Sequence, residues 1–417
     1  MEESLEAGSE QSASATVADP RATWGRGAWW TWGALPPLVA WMFLRVIVTI
    51  GSPKWVRPWS FSATPWTRVD AFNYLAIASS GRHVAPCDPK IQILIPGAHF
   101  CGTAGWLPGY PYLLRATGSL FSMSYDVAGV VLSNLAAFAV FMVLWRGLLW
   151  KKPPMKALLV LGLLASFPGA VYAVAVFPIS MATLGIAVSI VSFKQGRPLL
   201  AVLGMTLATF TYPSAIYALP ALFLALWWTL ERDASASRKV GRLALGGIAV
   251  LPYVALVVHD QLVFHRWNLY LEMQRGAGST LLPPKNPIAL IWHLVVKQDT
   301  LTQILQGRSA AHWIALQFLV ATGLAVGAGL LLWRSRHHQL ELFQEAYPVL
   351  LGISIWLGVF LSGVGGGWYR SIALAAPLVL IGVRARTSIL WMTLLVTVFT
   401  TVAISPLFFS RVQLWNG

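Results

Sequence analysis

The chain of 417 residues predicts an all-α integral membrane protein, a polytopic helical bundle of about eleven transmembrane helices. Three observations predict it. Hydrophobic residues make up 57% of the chain and charged residues only 11%, with a mean hydropathy of +0.65. The apolar residues fall in long runs, near the roughly 20 residues a helix needs to cross a hydrocarbon core of about 30 Å; in water such runs would expose large apolar patches. Basic residues cluster in the short links between the runs, as membrane orientation requires. The 21 tryptophans suit the lipid–water interface.

In chain order, residues 1–28 read as a polar, disordered cytoplasmic tail with Glu2, Glu3, Glu6 and Glu10 among serines and alanines. They lack the basic start and cleavage site of a signal peptide, so the first span is expected to stay in the mature protein. Residues 29–417 read as one polytopic membrane domain. The expected spans are Gly33–Gly51, Val127–Trp145, Ala157–Ala173, Val176–Phe193, Leu199–Thr211, Ser214–Leu230, Leu243–Phe264, Trp313–Trp333, Tyr347–Gly363, Ser371–Val383 and Ile389–Phe409. Leu199–Thr211 and Ser371–Val383 are short enough to be tilted, broken or partly re-entrant. Two long outer loops, 52–126 and 265–312, interrupt the series. Short interfacial helices are expected in the first, where Phe72, Leu75, Ala76 and Ser79 would share the face of a helix lying on the membrane. No soluble domain, coiled coil or fixed-period repeat is visible.

The formal net charge of +15 does not indicate nucleic acid, because the basic residues follow the links between spans. A cytoplasmic N-terminus places Arg146, Lys151, Lys152, Lys156, Lys194, Arg197, Arg232, Arg238, Lys239, Arg242, Arg334, Arg336, Arg384 and Arg386 inside. The short outer links carry only Arg370. The long outer loops hold Arg57, Arg68, Arg82, Lys90, Arg115, Arg266, Arg275, Lys285, Lys297 and Arg308, a positive surface that suits an anionic ligand. The two cysteines, Cys87 and Cys101, share the first outer loop: a disulfide if it faces an oxidising compartment, two free thiols if it faces the cytosol.

Of fifteen acidic residues, those on the outer side are Asp70, Asp88, Asp126, Asp260, Glu272 and Asp299. Asp70 alone sits between a preceding arginine and an aromatic-rich amphipathic turn. It can serve catalysis, cap the helix Ala71–Ser80, or do both. His83, His99, His265 and the His259–Asp260 pair show no metal-ligand spacing, so no metal site is expected; interfacial hydrogen bonding is their simpler role. His337 and His338 read as a solvated cytoplasmic face. Gly363–Arg370 is either a glycine-rich turn whose amides approach a phosphate beside Arg370, or a flexible link with interfacial anchors. It has no Walker lysine and is no nucleotide P-loop.

The order Arg68-Val69-Asp70-Ala71, Tyr74, Ile77-Ala78, Gly81, then Leu107-Pro108-Gly109-Tyr110-Pro111-Tyr112-Leu113-Leu114-Arg115, resembles the PIG-V-like family of GT-C membrane glycosyltransferases. Phe177-Pro178-Ile179-Ser180, Tyr212-Pro213-Ser214, and Tyr369-Arg370 with Pro377 are similar to later elements of that family, in the same order. Val69, Arg82 and Tyr212 depart from the family's usual residues. The resemblance implies a GT-C-like fold and transfer of a hexose, mannose in the family, from a polyprenyl-phosphate-linked donor to a glycolipid or glycan acceptor on the non-cytoplasmic face. It needs membrane lipid as its medium and no cofactor. It implies Asp70 as catalytic base, with Arg68, Arg115, Arg266 and Arg370 for the lipid phosphate and Tyr74, Trp106 and Tyr110 for the sugar. The alternatives are a transporter or lipid-handling protein, or a structural subunit. A transporter predicts charged or broken-helix residues in mid-membrane facing a path, whereas the span centres here are almost free of charge.

Overall fold

The apolar runs fold as helices, in the order the sequence predicts. The computed structural model describes residues 26–57, 61–68, 70–89, 99–230, 235–276, 310–335, 342–362 and 368–410. The tail to residue 25, Val69, Lys90, Arg232, Lys285, Lys297, Asp299, Arg308, Arg336, His337, His338 and the glycine run 363–367 lie outside them.

The helices are α1 (Arg26–Gly51), α2 (Ala71–Ser80), α3 (Gly109–Phe121), α4 (Tyr125–Leu144), α5 (Pro154–Ala165), α6 (Ile179–Lys194), α7 (Pro198–Thr211) and α8 (Leu219–Trp228). They continue with α9 (Ala236–Gly247), α10 (Leu251–Phe264), α11 (Leu269–Gly276), α12 (Ala310–Ser335), α13 (Tyr347–Leu361), α14 (Trp368–Ser371) and α15 (Thr387–Ser410). Five stretches, Thr31–Gly51, Tyr125–Leu149, Ala236–Phe264, Leu316–Ser335 and Thr387–Pro406, are long and apolar enough to cross a membrane, and six shorter apolar helices complete the bundle. The chain is an integral, multi-pass membrane protein. Helices α6 and α7 approach at Gly185 and Gly204, where an added methyl would strike the facing backbone.

Two expected spans are corrected. Ala157–Ala173 stops as a helix at Ala165, and Val176–Phe193 starts only at Ile179. Pro168, Gly169 (φ 84°) and Pro178 forbid a continuous helix between them. The resulting irregular stretch is almost wholly buried, so its backbone groups need partners from the bundle. Thr401 of α15 donates to the Ser166 carbonyl at 2.9 Å, and the Ser166 hydroxyl pairs with Thr397 at 2.7 Å. Asn134 of α4 donates to the Val174 carbonyl at 3.2 Å and Ser133 to that of Phe177 at 3.1 Å. The Val176 amide reaches the Trp66 carbonyl at 3.2 Å. These bonds fix Phe177.

The short span after Arg370 is a 3₁₀ helix, Ile372–Arg384, interrupted by Pro377. At about 2.0 Å per residue its 13 residues reach about 26 Å, where an α-helix would reach about 20 Å. The tighter winding brings a short segment near the thickness of the membrane core.

At one end of the bundle, the loop segments after α1 and α10 form a single cap. Strands β1 (Val84–Pro86) and β2 (Phe100–Gly102) pair antiparallel, Ala85 opposite Cys101, and Cys87 and Cys101 are disulfide-bonded. Buried Arg82 bonds Asp260 of α10 at 2.5 Å and the Ala104 carbonyl at 2.5 Å, while Gln274 of α11 donates to the Gly105 carbonyl at 2.6 Å. Within the cap, α2 packs on α3. It buries Ala71, Tyr74, Ile77 and Ala78, while Phe72, Leu75 and Ala76 are partly exposed and Ser79 is exposed.

Candidate active site

Asp70 precedes the first residue of α2 and has helical backbone angles, yet its side chain makes no capping bond. Its carbonyl accepts from Asn73 and Tyr74, and its carboxylate turns away to form an ion pair with Arg370, the third residue of α14. The side chains are 20% and 14% exposed, so the pair is screened by protein yet open to a ligand. Capping is therefore not what holds this aspartate.

Four distant segments build the walls. The Arg370 guanidinium lies 5.6 Å over the Phe177 ring. The Tyr74 ring makes edge contacts with Phe177 at 5.6 Å and Tyr110 at 5.5 Å. Ser371, next to Arg370, is bonded by the Tyr212 hydroxyl at 3.0 Å and the Ser214 hydroxyl at 2.8 Å. Gly109 opens α3 against α7, where a methyl group would collide with the Phe210 carbonyl; this close approach sets Tyr110 in place. The Tyr74 hydroxyl is pushed well above the ordinary tyrosine pKa by burial first and by Asp70 and Tyr212 next, with Arg370 acting in the opposite sense. Tyr74 is thus a neutral hydroxyl at physiological pH, beside a charged pair.

The other expected residues separate by role. Tyr110, buried like Tyr74, bonds Ser133 at 3.0 Å behind the Tyr74 ring. Arg115 donates to the carbonyls of Ala78 and Ile77 at 2.5 and 3.1 Å, closing the C-terminus of α2. Arg266 stacks 4.5 Å over Phe100 in the cap, 3.8 Å from Glu272. Trp106 is half-buried against the main core. Arg68 stacks 5.2 Å over half-exposed Trp55, with its Nε buried and without a hydrogen-bond partner. Arg45 was missed in the sequence: it is buried within α1, 4.4 Å over the Trp66 ring. A lone arginine inside the first apolar run was the available signal. Among the described residues no cluster of three or more His, Cys, Asp or Glu is arranged to hold a metal.

The arrangement sets a carboxylate that can take a proton beside a guanidinium that can hold an anion, both supported by buried aromatic rings. No protein-family model matches the chain, and no curated protein matches it in sequence. Among solved structures, its fold is similar to the crystal structure of ArnT from Cupriavidus metallidurans bound to undecaprenyl phosphate, with a TM-score of 0.50 and 14% identity over 89% of this chain. The chain spans 63% of the length of that protein. The fold is GT-C-like.

Proposed function

We propose that this protein is a membrane glycosyltransferase of PIG-V-like type. It moves a hexose, mannose by the sequence resemblance, from a polyprenyl-phosphate-linked donor to an acceptor hydroxyl on the non-cytoplasmic face. One observation carries the reading: the Asp70–Arg370 ion pair between residues 300 positions apart, walled by Tyr74 and Phe177. The fold it shares with ArnT, whose structure holds undecaprenyl phosphate, supports a lipid-phosphate donor. The Cys87–Cys101 bond supports an oxidising side for the cap.

The reaction is an inverting displacement. Asp70 takes the proton of the acceptor hydroxyl as its oxygen bonds the anomeric carbon, and the bond from that carbon to the lipid-phosphate oxygen breaks with its electron pair leaving on the phosphate. General-base help of this kind is worth roughly 10²–10⁴ in rate. Arg370 and Arg68 stabilise the departing anion, often the largest single contribution to such a step. Tyr74, itself buried, supports Phe177 beneath Arg370.

Membranes incubated with radiolabelled polyprenyl-phosphate-mannose and candidate acceptors test the reading. Wild-type protein transfers label, and Asp70→Asn, folded and inserted, loses at least about 100-fold of the rate. Near-normal transfer by that variant removes Asp70 from the mechanism.

A further inference from the structure

The proposed base and the proposed anion binder are each other's partner. Among the described residues the ion pair of the Asp70 carboxylate is with Arg370 alone, and both side chains are mostly buried. A carboxylate held by a guanidinium has an oxygen engaged that a hydroxyl proton needs, and a guanidinium held by a carboxylate resists a second anion. Arg370 cannot swing freely, because Phe177 lies under it and Ser371 beside it is tied to Tyr212 and Ser214.

Resting on the glycosyltransferase reading, we infer that the donor's phosphate displaces the Asp70 carboxylate from Arg370, so that donor binding releases the base and acceptor activation follows it. Arg68 suits the first contact: its guanidinium is stacked on Trp55, makes no ion pair among the described residues, and lies two residues before Asp70. The exchange swaps one charge-assisted bond for another on Arg370, so it proceeds without leaving a buried cation unpaired. It also keeps the base engaged until a donor is seated, which protects the donor from attack by water.

A double-mutant cycle on the full-length protein in lipid nanodiscs reads the exchange directly, with a short-chain polyprenyl phosphate as probe. Asp70→Asn binds the probe on the order of tenfold tighter than wild type, because no carboxylate competes for Arg370. Arg370→Gln binds more weakly, and adding Asp70→Asn to it restores nothing, since the competition acts through Arg370. Equal binding by wild type and Asp70→Asn, or a gain of the same size in the Arg370→Gln background, overturns the inference. Intact thermal unfolding of each variant in the same nanodiscs establishes that binding was read on folded protein. If the cycle shows coupling but wild-type membranes transfer no sugar to any acceptor, the transferase reading fails instead. If transfer occurs without coupling, the exchange alone fails.

Discussion

Asp70 shows what a residue's neighbours in sequence can and cannot reveal. Its place before an aromatic-rich helix was legible, but a capping role and a catalytic one looked alike until Arg370 arrived from the other end of the chain. The arginines divide for the same reason: Arg115 and Arg82 lie in the motif region yet close a helix and brace the cap, assignments no local pattern encodes. Tyr74 carries a pH prediction. Its folded-state pKa is raised, so its contribution to stability is complete below the unfolded value of about 10 and is lost as pH rises further. Unfolding midpoints measured between pH 9 and 11 fall less steeply for Tyr74→Phe than for wild type. Tyr110→Phe loses the bond to Ser133 and lowers stability by about 1 kcal/mol, read by thermal unfolding.

At the scale of elements, the apolar runs located the helices well, because hydrophobic length is a direct consequence of crossing a bilayer. Their ends were read less well: two expected spans ran through Pro168, Gly169 and Pro178, which break the helices there, and the 3₁₀ winding of the segment after Arg370 has no local signal in the sequence. The contact of α3 with α7 at Gly109 is equally non-local. Gly109→Ala forces those elements apart, costs about 1–3 kcal/mol and reduces transfer by moving Tyr110 and, through it, Tyr74. The check is thermal unfolding alongside transfer rate. The disulfide joins cysteines 14 positions apart, and Cys87→Ser with Cys101→Ser removes about 3 kcal/mol of restraint in the chain-entropy account. Limited proteolysis then cuts the cap of the double variant faster while the bundle remains intact.

Across the whole molecule, two loop segments nearly 180 residues apart become one cap through Arg82 and Asp260, a buried pair whose His259 neighbour lies 3.0 Å from Arg82. Their basic residues suggested an anionic ligand, yet several are engaged within the cap itself. Asp260→Asn strands a buried cation and loosens the cap by about 3–5 kcal/mol, whereas replacing both partners with apolar residues is far milder; hydrogen exchange of the α2–β1 region measures the difference. Lys151, Lys194 and Arg384 lie at or just beyond the C-terminal ends of α4, α6 and the 3₁₀ helix, and the positive-inside rule predicts that they face the side away from the cap. Single cysteines introduced at Lys151 and Asn268 then label with an impermeant reagent from opposite sides of sealed vesicles.

The irregular stretch between Ser166 and Phe177 alters what a hydrophilic side chain inside this bundle signifies. In a channel or carrier, an asparagine and a run of threonines facing inward mark the route of a solute. Here Asn134, Ser133 and Thr401 each point at a carbonyl that no helix satisfies. Swapping them for isosteric apolar residues therefore perturbs where Phe177 sits, and with it the floor under Arg370.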